Sequence, residues 1–257
     1  MTHHTNATGL YSYSGSDPRG DGFLRFYKTA ISIFEKLGIT PTHFAAEGVG
    51  FKGDLVKIGG RAHEKALQCG FKGVDVVSLI CSEEASNEPA AESLASASFG
   101  FVEHSNETLL TFTIDEQLLA LDDPKFLQVL DELLQLQKWD YGFSICQPAE
   151  KKPEFHVLGI DPGKLSPDDQ RRLNAWYAAT PDERVHKIRD VYPINFVNRF
   201  QLSAKISGVD SLEQYILNDL NSSIKQLENR ALWLWVIKPE GVEIARKWFA
   251  DSGVSIA

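Results

Sequence analysis

The sequence holds 257 residues, 43% hydrophobic and 24% charged, a composition that supports a folded core and excludes a largely disordered chain. Its formal net charge of −9 argues against nucleic-acid binding, because a phosphate backbone is held through Lys and Arg. No apolar run approaches the roughly 20 residues of a membrane span, and the polar start Met1-Thr2-His3-His4-Thr5-Asn6 lacks the basic and apolar regions of a secretion signal, so the expected compartment is the cytoplasm.

Taken in chain order, Leu10 to Tyr13 reads as a short first strand, followed by a turn-rich stretch from Gly15 to Gly22. Phe23, Phe26, Tyr27, Ala30, Ile31, Phe34 and Leu37 then recur at three and four residues, with Gly38 where a helix C-cap glycine belongs. A strand is expected around His43 to Ala46 and a short helix from Arg61 to Cys69. Three strands follow at Val74 to Cys81, Ser96 to Glu103 and Thr108 to Ile114, the last two joined as a hairpin through His104-Ser105-Asn106-Glu107. Asp123 and Pro124 carry the N-cap and first-turn signals of a helix striped by Phe126, Leu127, Leu130, Leu133 and Leu134. Tyr141 to Cys146 returns as a strand.

The stretch from Gln147 to Pro167 is rich in proline and lysine and reads as a connection, with a strand at Phe155 to Ile160. Helix starts are expected at Ser166-Pro167 and Thr180-Pro181, an extended segment from Ile194 to Ile206, and one helix from Ser211 to Leu227. An aromatic strand at Ala231 to Ile237 and a helix from Pro239 to Ser252 close the chain. The alternation along Thr108 to Ile114 implies one wet face, and the elements do not alternate strictly. The expected architecture is therefore α+β, a mostly antiparallel sheet with helices packed on one face. We read residues 1–257 as one unit, divisible into an acidic half over 1–147 and a C-terminal half over 165–257 with a loosely similar element order.

Charge is unevenly placed. Residues 1–150 carry 21 acidic against 11 basic side chains, whereas 151–257 carry 14 against 15. Between Lys72 and Lys125 there is no Lys or Arg, while eleven carboxylates occur, among them Glu83, Glu84, Glu88, Glu92, Glu103 and Glu107. Such a surface attracts a basic protein; the plainer reading is a solvated acidic face that maintains solubility.

Catalytic and cofactor motifs fare poorly. Gly48-Val49-Gly50-Phe51-Lys52-Gly53 matches the dinucleotide-binding glycine pattern, with Asp75 about 20 residues on. That chemistry needs a helix opening at the last glycine, and Asp54-Leu55-Val56-Lys57-Ile58 reads as strand or loop instead. A glycine-rich hairpin is the expectation, and a small-ligand or nucleotide-binding domain or an enzyme using the Gly48–Gly53 loop is the alternative function. The seven histidines form no His-x-x-x-His pair, Cys69, Cys81 and Cys146 are widely spaced, and no nucleophile motif occurs. No catalytic residue, cofactor or metal is expected. Trp233, Trp235, Trp248 and Phe249 read as core, with an interface anchor as the functional alternative.

In the last third, Tyr192-Pro193-Ile194-Asn195-Phe196, Leu202, Ser211-Leu212-Glu213-Gln214-Tyr215-Ile216, Leu227, Leu232-Trp233-Leu234-Trp235, Ile244-Ala245-Arg246, Phe249 and Gly253 occur in an order that resembles immunity proteins of bacterial polymorphic and type VI secreted toxins. Within these it looks most like the family paired with restriction-endonuclease-like toxins. The resemblance covers roughly residues 185–257. It implies a non-enzymatic protein that binds and neutralises a cognate toxin, a basic nuclease-like partner, and it supplies no catalytic residues. On the charge pattern, Glu83, Glu84, Glu88, Glu92, Glu103 and Glu107 are the expected contacts.

Overall fold

The computed structural model describes residues 3–13, 17–82, 93–160, 167–206, 211–228, 231–249 and 252–256. The strands are β1 (His4–Ser12), β2 (His43–Gly48), β3 (Phe51–Lys52), β4 (Val56–Lys57), β5 (Val74–Ser82), β6 (Ser93–Val102), β7 (Glu107–Asp115), β8 (Tyr141–Pro148), β9 (Ile194–Asn198), β10 (Ser222–Gln226) and β11 (Leu232–Ile237). They form one sheet in the order β10-β11-β9-β8-β1-β7-β6-β5-β2-β3, with β4 beside β2. Every named strand pair is antiparallel. The α+β class with a dominant antiparallel sheet is therefore the observed one.

The helices are α1 (Asp21–Lys36), α2 (Arg61–Gln68), α3 (Pro124–Leu134), α4 (Pro153–Leu158), α5 (Pro167–Ala178), α6 (Pro181–His186), α7 (Arg199–Leu202), α8 (Leu212–Asn218) and α9 (Pro239–Phe249). Strand alternation sorts the core into two layers. On the front face, Leu10, Phe99, Phe112 and Phe196 pack with Phe23, Phe26 and Phe34 of α1 and with Phe126 and Leu130 of α3. On the back face, Ala7, Tyr11, Tyr141, Phe143 and Trp235 pack with Val157 of α4, Trp176 of α5, Ile216 of α8 and Ala245 and Phe249 of α9. Helices on one face thus describes each half separately; the two halves use opposite faces. The sheet crosses the proposed division without a break, since β8 pairs with β1 on one side and β9 on the other.

Local signals explain most boundaries. Asp123 caps α3 by accepting from the Lys125 N–H, with Pro124 next. Thr180 and Glu183 form a reciprocal capping box at α6. Three expectations are corrected. The segment read as a strand at Phe155 to Ile160 is mostly α4, which starts at Pro153 and ends at Gly159 in the left-handed region, φ 76°. The helix read from Ser211 to Leu227 stops at Asn218, and residues 222–226 become the edge strand β10. The cause is turn chemistry: the Asp219 carboxylate accepts from the Asn221 N–H at 3.0 Å and the Ser222 hydroxyl at 2.6 Å. The extended reading of Ile194 to Ile206 likewise holds only to Asn198, where a side-chain cap starts α7.

Where the two halves meet, Gly142 is squeezed. A Cβ there would stand 2.6 Å from Leu10 Cδ2 and 2.8 Å from the Gly9 carbonyl. Gly142→Ala should therefore lower unfolding free energy by about 1–3 kcal/mol, readable as a lower urea midpoint. A second test concerns His63, which is 3% exposed. It accepts the Gly59 N–H at its Nδ1 and shares a 2.9 Å bond with the Tyr27 hydroxyl at its Nε2. Burial holds its pKa below the ordinary 6.5. The unfolded chain then binds the proton better, so this stabilisation is whole above pH 6.5 and declines as pH falls from there through the folded-state value. The urea midpoint should fall between pH 7.5 and 5.5, and part of that fall should vanish in His63→Asn.

Candidate functional site

Among the described residues, the helices of the first half pack on the front face of β2, β5 and β6. None of the back-face residues of β2, β5 and β6 belongs to the apolar layer beneath α4, α5, α8 and α9. Ala45, Ser78, Ser96, Ser98 and Gly100 stand there half-buried, in register across the three strands. Ser98 Oγ donates to Ser78 Oγ at 2.8 Å, and Ser96 bonds Thr113 of β7 at 2.7 Å. These small side chains share the face with Val76, Ile80 and Leu94.

At one end the bare face runs into a groove of about 440 Å³, lined by Glu47, Gly48, Phe51, Lys52, Asp75, Val76, Phe101, Val102 and Glu103. The glycine motif builds one wall. Glu47 pairs with Lys52 and Gly48 with Phe51, so Val49 and Gly50 are the turn of a tight hairpin. Gly48 has φ 141°, and a Cβ on it would lie 2.3 Å from the Gly73 carbonyl oxygen, which already accepts the Val49 N–H. Only glycine fits that approach. The hairpin continues into β4 rather than a helix, so its glycines do not present a helix N-terminus to a phosphate.

Carboxylates cluster at the mouth of the groove. Asp17, Asp75 and Glu103 converge on one cation, Arg19, at 2.6, 3.8 and 3.3 Å. The guanidinium lies over the Phe101 ring, 5.2 Å from its centroid. Its hydrogen bonds hold the Asp17 carboxyl below the ordinary carboxylate value. With Glu47, four carboxylates stand against Arg19, Lys52 and Lys65, whose ammonium lies 4.6 Å from the Phe51 centroid, which leaves the mouth net negative by one charge. Val49, 83% exposed, and Val102, 41% exposed, stand as apolar tips beside it.

The six expected contact residues fall into three groups. Glu83, Glu84, Glu88 and Glu92 lie outside the described residues. Glu103 is at the groove mouth with its side chain 75% exposed. Glu107 is near it in sequence but differs in kind. It takes a 3.0 Å ion pair from Arg184, and the two side chains are 22% and 12% exposed. Arg184 stacks over Tyr13 and Trp176, so Glu107 ties β7 to α6. Glu47 lines the groove, and Asp17 and Arg19 reach its Asp75 and Glu103 from outside the lining; none was in the expected set, because they lie outside the base-free stretch.

Cys81 and Cys146 are pushed up to about 12 and about 11, chiefly by burial, and a thiol so placed is no nucleophile at neutral pH. Among the described residues, no group of three or more His, Cys, Asp and Glu could hold a metal ion, and no helix is long and apolar enough to cross a membrane.

No protein-family model and no curated protein sequence matches the chain. Among solved structures, the fold is similar to that of the Pseudomonas aeruginosa T6SS protein PA0821, with a TM-score of 0.61 and 11% sequence identity, covering 98% of this chain and 73% of that one.

The different settings of Glu103 and Glu107 give opposite expectations. Glu107→Gln leaves a mostly buried guanidinium without its anion and should cost about 1–3 kcal/mol. Glu103→Gln should leave the urea midpoint where it is, since exposed pairs contribute little. Equal midpoints for the two variants would contradict this division.

Proposed function

We propose that the chain is an immunity protein: a binding protein, not an enzyme, that neutralises a cognate secreted toxin, a basic and nuclease-like partner, by direct contact. The observation that carries this reading is the net-negative groove at the end of a bare sheet face. The small Ser78, Ser98 and Gly100 let a partner's backbone approach closely. The carboxylates around Arg19 supply the complementary charge, and Val49 and Val102 supply apolar contact. The likeness of fold to a T6SS protein supports the setting, as does the resemblance of residues 185–257 to immunity proteins.

The chemistry of inhibition follows from charge. A nuclease presents cations to nucleic acid. Carboxylates held in the same geometry compete for those cations and speed encounter, to about 10⁸–10⁹ M⁻¹s⁻¹ at low salt. A stable pair of this kind buries on the order of 1,600 Å² in total. The Gly48–Gly53 hairpin then shapes a protein-binding surface, and neither cofactor, nucleic acid nor membrane is a partner.

The test is capture of a partner by the tagged chain from the source cell at low and high salt. The expected result is one basic protein whose retention falls as salt rises. Reversing Glu47, Asp75 and Glu103 to Lys should slow association at least about tenfold, one tenfold being 1.4 kcal/mol, and flatten its salt dependence. The same reversal at Glu83, Glu84 and Glu88 should act in the same direction. Affinity and salt dependence unchanged in both triple variants would sink the acidic-contact reading.

A further inference from the structure

The two ends of the sheet are finished differently. At one end the outer side of β2 is closed by short pieces of chain. β3 and β4 span two residues each. The Gly53 N–H donates to the Ala46 carbonyl at 2.8 Å, and the Ile58 N–H to the Thr42 carbonyl at 2.9 Å. An edge built this way offers little for another strand to pair with. At the other end stands β10, five residues long, with a neighbour on one side only.

The ladder shows which groups of β10 face outward. The Lys238 N–H donates to the Asn221 carbonyl at 2.8 Å, and the Leu227 N–H to the Leu232 carbonyl at 3.1 Å. Bonded and non-bonded positions alternate along an antiparallel pair. In this register Ser223 and Lys225 therefore bond β11, and Ser222, Ile224 and Gln226 turn their backbone groups to the open side. The Ser222 N–H donates to the Asp219 carbonyl at 3.1 Å. Among the described residues, the outward N–H and C=O of Ile224 and Gln226 have no backbone partner.

Apolar side chains stand beside this edge. α8 packs against β10, with Leu212 and Ile216 buried beneath it. Tyr215 turns to α9, its ring 4.9 Å from that of Trp248. Leu217 lies about 200° further round the helix, on the side away from α9. It is 68% exposed, and Leu220, in the turn that leads into β10, is 92% exposed. Open backbone and exposed leucines together mark a surface made for association.

We propose that β10 pairs antiparallel with β10 of a second copy, about a two-fold axis at Ile224. The strand is self-complementary in that register. All five residues pair, Ile224 with Ile224, Ser222 with Gln226 and Ser223 with Lys225. The Ile224 N–H meets the Ile224 carbonyl of the second copy, and the Gln226 N–H meets its Ser222 carbonyl, each twice by symmetry. An edge lysine discourages most pairings, and a shift by one residue in each strand would set Lys225 against Lys225. Here it meets a serine. Ile224 packs in the back layer with Ile216, so the two α8 helices lie side by side on that face and Leu217 and Leu220 gain apolar cover. The acidic groove is walled by β3 at the far end of the sheet. Pairing leaves both grooves open and does not depend on the immunity reading.

The experiment is sedimentation equilibrium of the full chain over a range of concentrations. The contact is smaller than a standard interface, so the expected result is a reversible rise from the mass of one chain to that of two. Gln226→Pro removes an outward N–H and no bond to β11, and should weaken the dimer at least about tenfold. Ser223 is exposed, so its variants test the register without touching the core. Ser223→Glu sets a carboxylate opposite each Lys225 and should tighten the dimer about tenfold, whereas Ser223→Lys should weaken it by a similar factor. The mass of one chain at every concentration up to about 1 mM overturns the dimer. A dimer that ignores both Ser223 variants overturns the edge pairing.

Discussion

Strand β1 sits between β7 and β8 and is buried on both sides from Asn6 to Ser12. An antiparallel strand in that position must satisfy two apolar layers at once. Leu10 points into the front layer, and Ala7 and Tyr11 into the back. Helical cover therefore changes sides at β1 and β8 without any break in the ladder. Close packing follows from this exchange. Leu10 fills the space opposite Gly142, and the Tyr11 ring occupies the space beside Gly9. Because α1 to α3 have taken the front, the back of β2, β5 and β6 lacks an apolar covering layer. The bare face and its groove are consequences of how β1 is packed.

The back layer is held by polar groups as much as by apolar ones. Tyr11, Tyr141 and Tyr192 surround Arg189, which is 4% exposed and lies over Phe143 and Trp176. Its guanidinium donates to the His156 carbonyl at 2.9 Å, its backbone N–H donates to the Tyr141 hydroxyl, and the Tyr11 hydroxyl donates to the Val157 carbonyl. Burial pushes Tyr11 up to about 12, so the phenol stays neutral and can donate. The Asp190 carboxylate collects Arg172 at 3.0 Å and Arg246 at 3.3 Å, joining α5 to α9. Buried polar groups so fully engaged fix one arrangement of short helices that have little propensity to stand alone.

Legibility in the sequence follows from how local the cause is. α1 and α3 could be read because their stripes and caps lie within their own residues. The β6–β7 hairpin was readable from alternation and a four-residue turn. α4 was not, because Phe155-His156-Val157-Leu158 suits a strand as well as a helix, and Val157 is held by packing against the distant β1 layer. The β10 edge was hidden by the helical spacing of Leu220, Ile224 and Leu227, which Asp219 interrupts. The candidate site shows the same limit. Glu103 was identified from a stretch without Lys or Arg, but a stretch free of bases in sequence need not be so in space. Arg19 reaches Glu103 from the segment before α1, and Arg184 reaches Glu107 from α6. Neither approach leaves a local signal.

The pairing of β1 also dictates when the protein can be finished during its synthesis. Ser12 meets Thr108 and His4 meets Pro148, so β1 cannot pair on both sides until the chain through residue 148 has been made. Until β8 has emerged, Leu10, Tyr11 and Tyr13 have no permanent cover, and a bare apolar strand invites wrong partners. Contacts so remote along the chain slow folding. The central ladder therefore closes only once β8 has been made, and the later strands are added to its edge.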